Sequence, residues 1–143
     1  MKDLFLKIRA LLMQVESLNY VDWDYGQLNA VNPAILYPAA LITITYPDCQ
    51  DTVTGSQRVR ALISIALAFD LINDQTSSSF DNDTASASLD ALDTIDQVYA
   101  KLQSYYDDEV EELSRKSLTE MKRSDRIKVF LIPFDTYFDD VAG

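Results

Sequence analysis

Leu4, Phe5, Ile8, Leu11, Leu12 and Val15 recur at steps of three and four, which lines six large apolar side chains along one stripe of a helix. The spacing predicts a first helix over Leu4 to Leu18, ending near Asn19. The period then changes. Tyr20, Val21 and Trp23 alternate with Asp22 and Asp24 before Gly26, the pattern of a short half-buried strand. Beyond a turn-rich link containing Pro33, Leu36 to Tyr46 is dense in Leu, Ile, Tyr and Thr and closes on Pro47-Asp48, so it reads as a second strand. Arg58 to Ile72 has the clearest two-residue period: Val59, Ala61, Ile63, Ile65, Leu67, Phe69 and Leu71 on one face, Arg58, Arg60, Ser64 and Asp70 on the other. These two strands are expected to pair antiparallel. The polar connection Asp48 to Gln57 is longer than a tight hairpin needs and reads as a projecting flap.

Asn73 to Ser88 is almost wholly Asn, Asp, Gln, Thr and Ser, a composition that buries little and predicts a segment mobile until a partner orders it. Leu89, Leu92, Ile95, Tyr99, Leu102 and Tyr106 then mark a second amphipathic helix, capped in Ser86 to Ser88 and reaching about Asp108. A weaker strand at Leu118 to Met121, a turn at Ser124-Asp125 and an apolar run from Ile127 to Phe138 predict a second hairpin. Pro133 lacks a donor, so that last strand is expected to lie at an edge or to bulge there. Together these elements predict an α+β fold: one domain over residues 1–143, with an antiparallel or mixed sheet of about four to five strands packed against two amphipathic helices on one face.

Composition narrows the chemistry. With 143 residues, 48% of them hydrophobic, the chain can bury a core. There is no His and one Cys, which removes an internal disulfide, nearly all soft-metal sites and every His-dependent triad. Three Gly, at 26, 55 and 143, leave no phosphate-cradling loop and no dinucleotide fingerprint. Asp81, Asn82 and Asp83 open like a calcium loop, but Ala85, Ser86 and Leu92 stand where an EF-hand needs an oxygen ligand, Gly and Glu. Asp22 and Asp24 share a strand face, as paired carboxylates must for acid/base work, yet no electrophile accompanies them and an ordinary half-exposed strand accounts for the pair. Cys49 lies beside Asp48 and Asp51, which disfavour a reactive thiolate. No catalytic residue, cofactor or metal site is therefore expected. The interrupted N-terminal stretch is unlike a signal peptide and no apolar run spans a bilayer, so a soluble intracellular protein without membrane contact is expected.

Charge placement adds more. The formal net charge is −11, which argues against a general nucleic-acid binder. Residues 1–60 carry five basic and six acidic side chains, residues 61–112 one and twelve, and residues 113–143 six and five. A solvated acidic face accounts for this run; the alternative is complementarity with a partner, and Arg115, Lys116, Lys122, Arg123, Arg126 and Lys128 offer a counterpart on a neighbouring copy. Asp48, Asp51, Thr54 and Gln57 in the flap, Asp81 and Asp83 in the polar loop, and Arg115, Lys122, Arg123 and Arg126 are the candidate subunit or partner contacts. The many Tyr and Phe near element ends fit the core and the centres of interfaces.

The order of elements and several local phrases resemble the tail-terminator, or tail-completion, proteins of tailed bacteriophages and prophages. The resemblance rests on the opening helix Leu4 to Leu18, Tyr20-Val21-Asp22 leading to Gln27-Leu28, Tyr37-Pro38-Ala39-Ala40-Leu41-Ile42, the long strand after Gly55-Ser56-Gln57, the helix with Leu92, Asp96 and Leu102, and the ending Phe134 to Asp139. It implies a mixed sheet with two helices and no catalytic residues. It also implies a ring of commonly six copies that caps the tail tube and joins it to the head, with DNA passing through the lumen. Tail-tube and neck proteins would then be the partners, with assembly in the host cytoplasm and final residence in the virion tail and neck. The rival reading is an acidic DNA mimic whose carboxylates at residues 70–112 occupy a basic cleft of an inhibited protein. The patterned strands and basic C-terminal cluster weigh against it.

Overall fold

The alternating faces of the long strands dictate the architecture. In the computed structural model, which describes residues 1–31, 34–70 and 82–142 and only the backbone of 82–87, the elements run α1 (Lys2–Leu12), β1 (Tyr20–Trp23), a 3-10 turn (Gln27–Asn29), β2 (Ala39–Asp51), β3 (Ser56–Asp70), α2 (Asn82–Leu102), β4 (Ser114–Arg115), β5 (Thr119–Met121) and β6 (Ile127–Val141). The strands form one mixed sheet in the order β1-β2-β3-β6-β4, with β5 also beside β6; β1 and β2 are parallel and every other pair antiparallel. This is the expected α+β fold, with six strands rather than four to five. The strand that periodicity missed is β4, whose two residues are too few to show a period.

One sheet face carries the main core. Ile42, Ile63, Ile65, Leu67, Ile132 and Phe134 are buried there with Leu4, Ile8 and Leu12 of α1 and Ile95, Val98 and Leu102 of α2. Among the described residues the other face is covered only at one end, where Leu28, Ile35 and Tyr37 close over Ala39, Leu41, Ala66, Ala68 and Val129. Further along that face Arg60, Leu62, Ser64 and Pro133 are half-buried.

The first helix ends at Leu12, not near Asn19. Gln14, Val15 and Leu18 donate their N–H groups to the carbonyls of Leu11, Leu12 and Val15 at 3.0–3.1 Å, successive tight three-residue turns that still bring Val15 into the core. Apolar spacing alone cannot separate such turns from a continuing helix. The second helix starts at Asn82 rather than at 86–88, and it ends at Leu102 rather than near Asp108. Ser104 stops it with a left-handed φ of 63°, without the glycine that flags such a stop in sequence. Its buried stripe is Ala91, Thr94, Ile95, Val98 and Leu102, whereas Leu89 and Leu92 are 60% and 52% exposed. Residues 73–81 of the expected mobile segment lie outside the described residues, and 82–88 are helical.

The flap expected over Asp48 to Gln57 is mostly strand. Asp48, Cys49, Gln50 and Asp51 pair with Arg60, Val59, Arg58 and Gln57, after a register shift between Thr45 and Asp48 that accommodates Pro47. Only residues 52–55 remain as a turn. The last strand neither lies at an edge nor bulges at Pro133: β6 sits between β3 and the short strands β4 and β5, in unbroken register with β3. Pro133 is accommodated because it falls in the break between β4, which reaches Phe134, and β5, which starts at Leu131, where its carbonyl accepts Lys116 N–H at 2.8 Å.

Candidate interaction surface

Beyond the bulge, the ends of β2, β3 and β6 form a three-stranded tongue. Gln57 pairs with both Asp51 and Asp140, and the tip is closed by Thr52 N–H to Ser56 C=O at 3.1 Å, Ser56 N–H to Val53 C=O at 2.9 Å and Ala142 N–H to Gly55 C=O at 2.7 Å. Gly55 has a φ of +80°, which an L side chain adopts only under strain. Asp48, Asp51, Thr54 and Gln57 are thus gathered on one projection. Within it Gln50 donates to Asp48 Oδ2 at 3.3 Å and Gln57 to Asp51 Oδ1 at 2.9 Å. All of residues 47–55 are exposed.

At the base of the tongue, where α1 begins, lies a cavity of about 340 Å³. Buried Leu4 and Val110 and half-buried Tyr46 and Phe138 give it an apolar floor, the two rings edge to face with centroids 5.4 Å apart. Exposed Asp3, Asp108, Glu109, Asp139 and Asp140 make its rim. The Tyr46 hydroxyl is buried without a hydrogen-bond partner among the described residues; burial, then the charge of Asp140 and Cys49, pushes its pKa up. Lys7, the basic residue of the lining, is already engaged by Asp107 at 2.8 Å and Glu109 at 3.2 Å. Burial opposes its charge, but those hydrogen bonds outweigh it and raise its pKa. Asp107 is held down to about 2, chiefly by Lys7, with burial opposing and the N–H groups of Glu109 and Val110 assisting.

An unpartnered buried hydroxyl costs ~1–3 kcal/mol. Tyr46→Phe, which keeps the ring contact, is therefore expected to raise the unfolding free energy of the isolated subunit by about 1 kcal/mol in urea titration. A loss of stability would show that the hydroxyl is satisfied.

The basic residues do not form one free patch. The Arg115 guanidinium lies over the Tyr99 ring, 4.0 Å from its centroid. Arg123 clamps Asp125 through two bonds of 2.9 and 2.6 Å and also donates to Leu28 C=O at 3.1 Å; the first of these contacts, that with Arg123, holds Asp125 at about 2. Arg126 pairs with Asp70 at 3.2 Å, Lys116 with Asp135 at 3.3 Å and Lys128 with Glu120 at 3.2 Å. Lys122 is exposed and has no side-chain partner among the described residues. Charge reversal at Arg123 or Arg126 thus perturbs the subunit itself before any association. Asp81 lies outside the described residues, and Asp83 contributes backbone to the first turn of α2.

The acidic pair on β1 has a structural part. Trp23 N–H donates to Asp22 Oδ1 at 2.7 Å and Gly26 N–H to Asp24 Oδ1 at 3.0 Å, while Gln27 Nε2 reaches Trp23 C=O at 2.9 Å. These bonds occupy backbone groups at the sheet edge that would otherwise invite another strand. Among the described residues, no group of three or more His, Cys, Asp or Glu is placed to hold a metal, and no helix is long and apolar enough to cross a membrane. The basal cavity was missing from the sequence reading because its walls come from four separate segments. The legible hint was aromatic residues next to carboxylates at strand ends, Tyr46 near Asp48 and Phe138 before Asp139. No protein-family model matches the chain, and no curated protein matches it.

Proposed function

We propose that this chain is a structural, non-enzymatic subunit of a phage or prophage tail, assembling as a ring that caps the tail tube and joins it to the head. The observation that carries the reading is the architecture: a mixed sheet with two helices on one face, strung in the order helix, three strands, helix, closing strands, which is what the resemblance to tail-terminator proteins implies. The surface is in keeping with an assembly role. Among the described residues one sheet face is covered only at one end, and a hydrogen-bonded tongue carries little burial of its own. Self-association, with the six-fold closure that the resemblance implies, and contacts with tail-tube and neck proteins belong to this proposal, as do assembly in the host cytoplasm and DNA passage through the lumen. The exposed carboxylates Asp90, Asp93 and Asp96 along α2 would repel DNA rather than hold it.

The test is electron microscopy of the purified protein with polymerised tail tubes. The proposal predicts closed rings and density at tube ends alone. Protein that stays monomeric and instead blocks a DNA-binding protein would replace it with the DNA-mimic reading.

A further inference from the structure

The tongue leaves two strand edges open. β1 covers β2 only from Ala39 to Ile42, and Asp24 N–H ends that contact on Ile42 C=O at 2.9 Å. Among the described residues, the backbone of residues 43–51 bonds to β3 alone. On the other side, Tyr137 C=O accepts Glu111 N–H at 2.9 Å, and residues 138–141 of β6 have no such bond away from β3. Rows of unpaired N–H and C=O groups are a template for a strand of another chain.

We propose that the Pro47 bulge and four carboxylates keep these edges from pairing with those of other copies. Pro47 has no N–H to give, and the register shift between Thr45 and Asp48 bends β2 beside it. Asp48 and Asp51 stand on the β2 edge and Asp139 and Asp140 on the β6 edge, all four exposed. The tongue's own cations do not neutralise them: Arg58 is shared between Glu111 and Asp139, and Arg60 is held by Asp135. Side chains directly across two paired strands have Cβ atoms about 4.5–5.5 Å apart, and like charges there oppose pairing. Whichever edges two copies bring together, β2 or β6, the carboxylates of one come beside those of the other. Contact between copies is thereby left to the tip and faces of the tongue, and open-ended growth by strand addition is blocked.

Charge swapping tests this, with Pro47→Val as the common background to return a donor to β2. Adding Asp48→Thr, Asp51→Thr, Asp139→Thr and Asp140→Thr should raise the light-scattering mass about tenfold or more above the wild type, with the infrared band of intermolecular antiparallel strands. Adding Asp→Lys at the same four positions should leave the wild-type mass, because like charges meet again, and so should Pro47→Val alone. Mixing these last two proteins sets ammonium groups against carboxylates, and the mixture should grow where neither protein does. All four positions are exposed, so the variants are expected to fold, and urea unfolding checks each. A folded four-Thr protein at the wild-type mass, a four-Lys protein that grows alone, or a mixture that does not grow overturns the proposal. Should the four-Thr protein not fold, the mixture still decides.

Discussion

Phe134→Ala is expected to lower the unfolding free energy by about 3–5 kcal/mol, the range for emptying a large aromatic site in a close-packed core. Phe134 is fully buried on the helix-covered face of β6, opposite Ile63 of β3 and beside Arg115 of β4. The layer around it draws on both helices and the central strands. None of these can collapse into the void without disturbing the fifteen-residue ladder between β3 and β6. Urea unfolding of the variant measures the loss. A cost under about 1 kcal/mol would mean that the helices do not pack there as described.

Asp107→Ala is expected to cost about 2–3 kcal/mol. Its carboxylate ties α1, through Lys7 at 2.8 Å, to the chain after α2, where it accepts Glu109 N–H at 2.8 Å, Val110 N–H at 2.9 Å and the Tyr105 hydroxyl at 3.2 Å. Removing it strands the Val110 N–H beside a buried side chain and leaves Lys7 only Glu109. The pH dependence has a definite sign. The folded state holds Asp107 at about 2, against an ordinary value of 3.8, so its contribution is complete above about pH 4 and is lost as pH falls towards 2. In Asp107→Asn the fall in stability between pH 4 and 2 should be shallower than in the wild type. Parallel curves would remove Asp107 from the account.

The long strands were legible because a two-residue period repeated over seven positions, Val59 to Leu71, cannot be mistaken for a helical one. What surrounds them was less so. Pro47-Asp48 looks like the end of a strand, but the bulge absorbs Pro47 and pairing resumes at Asp48, a consequence of tertiary register that no local signal carries. Along α2 the expected stripe shares Ile95 and Leu102 with the buried one, but its larger side chains Leu89 and Leu92 lie outside it. The buried stripe uses small Ala91 and Thr94, with the Thr94 hydroxyl bonded to Asp90 C=O at 3.0 Å and to Ser17, in the segment after α1, at 2.8 Å. The tongue residues were legible as a polar excursion but not as paired strand, since only residues 52–55 lie outside β2 and β3. Among the basic residues sequence could not separate Lys122, left open, from Arg123, clamped by Asp125 two positions on, because internal pairing depends on where the β5–β6 turn folds.

The proposed closure of copies of this chain into a ring is read from the mass of the wild-type protein in solution. Light scattering over a concentration series at low and physiological salt should give a discrete multiple of the 16.2 kDa subunit that stops growing with concentration. The assembly should dissociate as salt screens the exposed charge contacts over ~8–10 Å. A mass fixed at one subunit across the series would contradict the account, and a mass that climbs without limit would mean filaments rather than rings.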